Sequence, residues 1–318
     1  MMNRRDALLL MAGTALWPAS AWAQQRKPVI ALLALPGPNP APLIKSLTEG
    51  LKTLGYNDGD NIVIETHVVE AKELDARATS LVQRQVDVIV GFFTPAPIAA
   101  KRATKQIPIV MANAGDPVET GLVDSLARPG GNVTGLSSGG AEIAGKSVDI
   151  MKEIKPGMRR IGVLINENDS FAKPYTKQMT EAAQTAKVEI EVFPTAQGRP
   201  LKPVLDAIRA KQVEALFVQG TLIAKELFEL AEAQHLPTIT TNRLGPPLGA
   251  FMSYGADLPD LTRQSATYVD KILKGAKPGD IPVAFPTKFD LTLNLKTAKK
   301  LGLEIPSKLL FTANDVIE

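Results

Sequence analysis

The feature that most limits the fold is a rhythm that occurs twice. Strand-like and helix-like segments alternate over residues 28–111, and the same order returns over residues 160–241. Each strand of the second run follows its counterpart by about 130 residues, which marks an internal duplication. In the first run, residues 28–34 are apolar after Pro28, as a strand buried on both faces should be. Leu43, Leu47, Leu51 and Leu54 then fall at helical spacing, and Gly55 stops them. Residues 61–68 read as strand, Leu74, Ala78, Leu81 and Val82 as helix, 86–90 as strand, 97–105 as helix and 107–111 as strand. The second run gives strand 160–165 and a helix face of Tyr175, Met179, Ala182 and Ala186. Strand 188–193 follows, then a helix around Val204, Leu205 and Ile208, strand 213–218, helix 222–234 and strand 236–241. Strands alternating with helices imply βαβ units and a parallel sheet. Two such runs predict an α/β protein of two similar doubly wound parallel-sheet lobes. A single sheet holding all these strands is disfavoured, because sheets beyond about ten strands are uncommon.

The seam between the runs is residues 112–140. The loop after the apolar run 107–111 holds Asn113 and Asp116-Pro117, and Pro129, Gly130 and Gly131 punctuate again before a short apolar piece, 133–136. Beyond the second run come a strand at 250–254, an amphipathic helix at 261–273 closed by Gly275, and a proline-bearing connector at 278–287. A strand at 290–294 and a short helix at 295–301 follow. The expected division is residues 24–136 plus 254–282 in lobe 1 and 137–253 plus 283–318 in lobe 2. Several crossings then form a multi-strand hinge, with a ligand cleft between the lobes.

Residues 1–23 have the three parts of a secretory signal in order. Arg4 and Arg5 form a basic start, 8–16 an apolar run and Ala21-Trp22-Ala23 a small-residue cleavage site. The run is shorter than the about 20 residues a membrane-spanning helix needs. Cleavage near Ala23 predicts a periplasmic protein. The arginine pair leaves general and twin-arginine export both open. The chain has no cysteine, which excludes a lipobox anchor, disulfides, thiolate metal sites and a cysteine nucleophile. A net charge of +3 without a dense basic block excludes a nucleic-acid signature.

Ligands of open parallel sheets bind outside the carboxyl ends of the strands. In two facing lobes that rule selects loops 35–39, 94–95 and 113–116 from the first run, and 166–170, 220–221 and 242–243 from the second. Thr94, Asn113, Asp116, Asn166, Asp169, Ser170, Thr221, Asn242 and Arg243 are the candidate binding residues there. Short polar residues ahead of helices can be plain caps. They also sit beside free backbone N–H groups that attract carboxylate or phosphate. Asp116 suits a ligand ammonium group and Arg243 a ligand carboxylate. Phe92, Phe93 and Phe171 lie next to these loops and could wall an aromatic side chain. Both tryptophans, Trp17 and Trp22, fall in the expected signal, which disfavours a sugar held between stacking rings.

A set of segments carries a family resemblance. Asp116-Pro117, Leu126-Ala127-Arg128-Pro129-Gly130-Gly131-Asn132-Val133-Thr134-Gly135 and Ser253-Tyr254-Gly255 are among them, with residues 266–276, 286–289, 294–298 and 313–317. Together they resemble the periplasmic substrate-binding proteins of ABC transporters in the tryptophan/aromatic amino-acid uptake group, which have a type I periplasmic-binding-protein fold. The resemblance implies ligand roles for Thr94, Asp116, Ser138, Asn166 and Ser170. It also implies a small-molecule solute, ABC permease membrane subunits as partners, a monomer, no cofactor and no catalysis.

Two other readings compete. Gly135-Leu136-Ser137-Ser138-Gly139 matches the G-x-S-x-G elbow of α/β-hydrolases, with Ser137 as nucleophile and Asp206 and His235 in the right chain order. The pattern is short, and His235 at a helix end is favourable there without any catalysis. A binding partner of a membrane sensor would use the same fold. His67, within a strand pattern, suits a packing or edge role. Two distant histidines make no zinc motif, and Gly130-Gly131…Gly135 lacks the dinucleotide spacing.

Overall fold

The computed structural model describes residues 26–37 and 40–318. The expected signal segment, both tryptophans and residues 38–39 of the first loop lie outside them. In chain order the first half forms β1 (Val29–Ala34), α1 (Ala41–Thr53), β2 (Val63–Val68), α2 (Leu74–Gln83), β3 (Val88–Phe92), α3 (Pro95–Ala103), β4 (Ile109–Ala114), β5 (Val133–Ser137) and α4 (Ala141–Ile154). The second half forms β6 (Arg160–Asn166), α5 (Ala172–Ala186), β7 (Glu189–Thr195), α6 (Lys202–Ala210), β8 (Ala215–Val218), α7 (Lys225–Ala233), β9 (Thr238–Thr240), β10 (Met252–Ala256) and α8 (Leu258–Leu273). β11 (Phe289–Asn294), α9 (Leu295–Leu301), α10 (Ser307–Thr312) and β12 (Asp315–Ile317) close the chain.

Two sheets result. The first has the order β2-β1-β3-β4-β5 and is parallel throughout. The second runs β7-β6-β8-β9-β10 and continues into β11 and β12. Both therefore repeat the 2-1-3-4-5 doubly wound order. One pairing departs from the all-parallel expectation: β11 lies antiparallel to β10, because the chain reaches it from the opposite end of the sheet. Each sheet is buried on both faces. Ile30, Leu32, Val88, Val90 and Val110 pack against α1 and α8, and Leu33, Ile89 and Met111 against α2 and α3. In the second sheet Ile161, Val163 and Phe217 face α4 and α5, while Leu164, Leu216 and Val218 face α6 and α7.

The halves exchange their last helices. The helix after β5, α4, packs on α5 of the second sheet, and the helix after β10, α8, packs on α1 of the first. The α1–α8 approach is close: a Cβ on Gly50 would lie 2.5 Å from the Arg263 carbonyl oxygen. Asp257 caps α8 by accepting from the Asp260 amide at 3.1 Å. The chain crosses between the bodies at residues 137–141, 256–258 and 284–289. At the third crossing the incoming chain adds to β5: Ser137 N donates to Ala284 O at 3.0 Å and Ala284 N to Gly135 O at 3.2 Å.

Candidate functional site

The carboxyl ends of β3 and β4 face those of β6, β8 and β9 across a narrow chamber of about 50 Å³. Six of the ten candidate residues line it: Thr94, Asn113, Ser138, Asp169, Thr221 and Asn242. Phe93, Gly115, Phe171, Gln219, Gly220, Thr241 and Leu258 complete the wall. Phe92, by contrast, is fully buried in the core. Gln219, Thr241 and Leu258 escape the sequence reading. Gln219 stands one residue ahead of the selected loop, and Leu258 reaches the chamber only because the second crossing brings the start of α8 there.

Asp169 is the one ionisable side chain on the chamber wall among the described residues. It is 6% exposed, and three donors hold it: Phe171 N at 2.9 Å, Gln219 Nε2 at 2.9 Å and Thr221 Oγ1 at 3.2 Å. Burial raises its carboxyl above the ordinary range, and the three hydrogen bonds oppose that rise. Gln219 is oriented in turn, because its Oε1 accepts from the Asn166 amide at 2.8 Å. Asn166 therefore sits behind the wall: its Nδ2 donates to Thr221 Oγ1 at 3.4 Å, and it supports the site without lining it.

The first lobe's contribution is strained. Phe93 and Asn113, at the ends of β3 and β4, have φ of 59° and 66°, and Asp116 has 35°. Non-glycine residues in this region cost roughly 1–3 kcal/mol each and cluster at ligand sites. The β4–β5 register shifts between Ala112 and Ala114, which turns Asn113 inward. Its Nδ2 donates to Thr262 Oγ1 at 2.6 Å, and its Oδ1 has no partner among the described residues.

Three other candidate residues lie off the chamber wall. After the turn at Asn113, Asp116 faces the other lobe outside the chamber, where its Oδ2 accepts from Gln178 Nε2 at 3.0 Å. It lines a wider outer cleft of about 710 Å³ with Glu119, Lys177 and Phe285. Lys177 and Glu119 form a second cross-lobe contact there at 3.1 Å. Arg243 does not line the chamber, because three carboxylates hold it at the hinge: Asp257 and Asp290 at 3.8 Å and Asp315 at 3.5 Å. Ser170 is exposed and also lies off the wall.

Phe171 closes the chamber from the second lobe. Its ring rests on Gly115 of the first, so closely that a Cβ there would meet ring carbons at 2.7 Å. The hydrolase constellation is not assembled. Ser137 is fully buried in β5, Asp206 is exposed and paired with Lys202 at 2.6 Å, and His235 is exposed at the end of α7. No hydrogen bond joins the three among the described residues, and none of those residues form a His/Cys/Asp/Glu group suited to a metal. His67 lies on edge strand β2 beside Glu65 at 3.4 Å.

Comparison with known proteins gives a consistent result. The family model described as ABC transporter substrate binding protein matches residues 30–317. A tyrosine-binding protein of Clostridioides difficile (strain R20291) is 28% identical over 266 residues, covering 82% of this chain and 76% of that protein. A Streptococcus pneumonia ABC domain solved in complex with L-Trp shares 28% identity, covers 92% of this chain and 100% of its own, and superposes with a TM-score of 0.86. A substrate-binding protein with adhesive properties from Clostridium difficile, solved ligand-free and open, shares 25% identity over 91% of this chain and 99% of its own, at a TM-score of 0.67. The identities differ little and the superpositions differ much.

Proposed function

The chain belongs to the ABC transporter substrate-binding protein family, and from that premise we propose that it is the extracytoplasmic solute-binding component of an ABC importer, closing on an amino acid or related carboxylate. The observation that carries this reading is Asp169: a buried, hydrogen-bonded carboxylate on a chamber otherwise walled by hydroxyls, amides and two phenylalanines. A buried charge needs a partner, and a solute ammonium group supplies one. The hydroxyls of Thr94, Ser138 and Thr221, with the amides of Asn113 and Asn242, then serve the rest of a polar head group. Phe93 and Phe171 offer an apolar wall for its side chain. The relatives' solutes, tyrosine and L-Trp, have this anatomy. In this reading residues 1–23 export the chain to the periplasm, the partners are permease membrane subunits, and the protein works as a non-enzymatic monomer without a cofactor.

A thermal-shift screen against amino acids, aromatic acids and sugars tests the reading. A true solute at a hundredfold excess over its dissociation constant stabilises the protein by about 2.7 kcal/mol. Stabilisation by an aromatic amino acid is the expected result. A response to sugars alone would sink the amino-acid reading.

A further inference from the structure

Phe171 stands between two small voids. On one side is the chamber of about 50 Å³. On the other is a void of about 30 Å³, lined by Ile143, Ala144, Tyr175 and Gln178. Ser138, Phe171 and Thr241 line both, so the side chain of Phe171 is part of the wall between them. Neither void holds an aromatic amino acid as it stands, since pockets for organic ligands run to about 300–1,000 Å³. Something in the wall yields when a solute enters. The backbone around Phe171 is held, because its N–H donates to Asp169 Oδ1 and its carbonyl accepts from Tyr175 N at 2.9 Å. The ring is held only by packing: against Gly115 on one side, and with its centroid 5.8 Å from that of Tyr175 on the other.

Tyr175 adds an independent observation. It is 3% exposed, and its hydroxyl has no hydrogen-bond partner among the described residues. A buried hydroxyl without a partner carries an unreturned desolvation cost and calls for an explanation. A phenylalanine at this position would fill nearly the same space without that cost.

We propose that Phe171 is a movable partition and Tyr175 the residue that reads the solute's ring. A solute ring displaces the Phe171 ring, joins the two voids and brings its own distal polar atom to the Tyr175 hydroxyl. The site thereby prefers rings that carry a hydroxyl or N–H over a plain phenyl ring. This rests on the amino-acid reading above and goes beyond it by naming what selects among aromatic solutes.

The test is calorimetric titration of the wild-type chain and Tyr175→Phe with L-tyrosine and L-phenylalanine, with thermal unfolding of each empty protein alongside. Wild type should favour L-tyrosine by about tenfold or more, the scale of one well-made hydrogen bond. Tyr175→Phe should bring that ratio close to one. The empty variant should unfold at the same temperature as wild type or higher, because the lost hydroxyl has no partner among the described residues. Phe171→Ala, which has no partition to displace, should keep the preference for L-tyrosine over L-phenylalanine. An unchanged tyrosine-to-phenylalanine ratio in Tyr175→Phe, with both solutes binding, would overturn the proposal and leave the amino-acid reading intact. A marked loss of thermal stability in empty Tyr175→Phe would overturn it too, by showing a structural role for the hydroxyl. Failure of wild type to bind either amino acid would overturn the proposal, while binding of another amino acid or carboxylate would leave the amino-acid reading standing.

Discussion

At the scale of single residues, Asp169 sets the chemistry, and its protonation gives a signed prediction. Burial raises its folded pKa above the ordinary value of 3.8. Between the unfolded and folded values the native state binds more protons than the unfolded chain. Unfolding free energy from this group therefore falls as pH rises through that window. A cationic solute acts the other way, because Asp169 must ionise to meet it, so affinity should rise with pH over the same window. Asp169→Asn should remove both slopes and weaken an ammonium-bearing solute by roughly 2–5 kcal/mol. Melts and titrations of wild type and variant from acidic to neutral pH measure this, and parallel pH profiles for the two proteins would refute it. Much of the chamber was legible residue by residue. Thr94, Asn113 and Thr221 follow from the strand-end rule alone. Asp116 and Arg243 stand off the chamber for specific reasons. A positive φ at Asn113 redirects the chain before Asp116, and the aspartates that hold Arg243 lie at 257, 290 and 315, beyond any local pattern.

At the scale of elements, the duplicated rhythm was visible because buried parallel strands are continuous apolar runs and their covering helices keep a 3.6-residue period. What stayed hidden was α4 itself, although the expected lobe bounds put its residues, 141–154, in lobe 2 and those of α8, 258–273, in lobe 1. The seam ahead of α4 is rich in glycine, and Gly145 interrupts its pattern. α10 and β12 are too short to show a period. The exchange has a testable weak point at Gly50, where α1 meets the α8 backbone without room for a side chain. Gly50→Val should wedge the helices apart and lower stability by about 1–3 kcal/mol, the usual cost of overpacking. Denaturant unfolding of the empty protein reads that loss. A variant as stable as wild type would show that the two helices do not bear on each other as closely as the structure has it.

At the scale of the whole molecule, the lobes meet through contacts that can be undone. Across the cleft these include Phe171 on Gly115, Gln178 with Asp116, and the exposed Lys177–Glu119 pair. An exposed ion pair contributes about 0–1 kcal/mol, and the Phe171 contact is the one a solute is proposed to displace. The continuous connections are the three crossings, where the proposed mechanism places the bending. On the proposed mechanism, the lobes around the 50 Å³ chamber part before a solute enters, and a solute bound to both lobes favours their return. Driving such an equilibrium from almost fully open to almost fully closed takes about 5.5 kcal/mol of differential affinity, which one desolvated charge pair and a buried ring can supply together. The chain suits a direct measurement, because it has no cysteine to compete with introduced labels. Thr79 on α2 and Arg209 on α6 are exposed, one on each body. Replacing both by cysteine and attaching spin labels should give a broad distance distribution without solute that narrows to a single population with saturating L-tyrosine. Identical distributions in the two states, with calorimetry confirming that the labelled protein is saturated, would show that the solute reaches Asp169 without hinge motion, and closure would have to be abandoned as the mechanism.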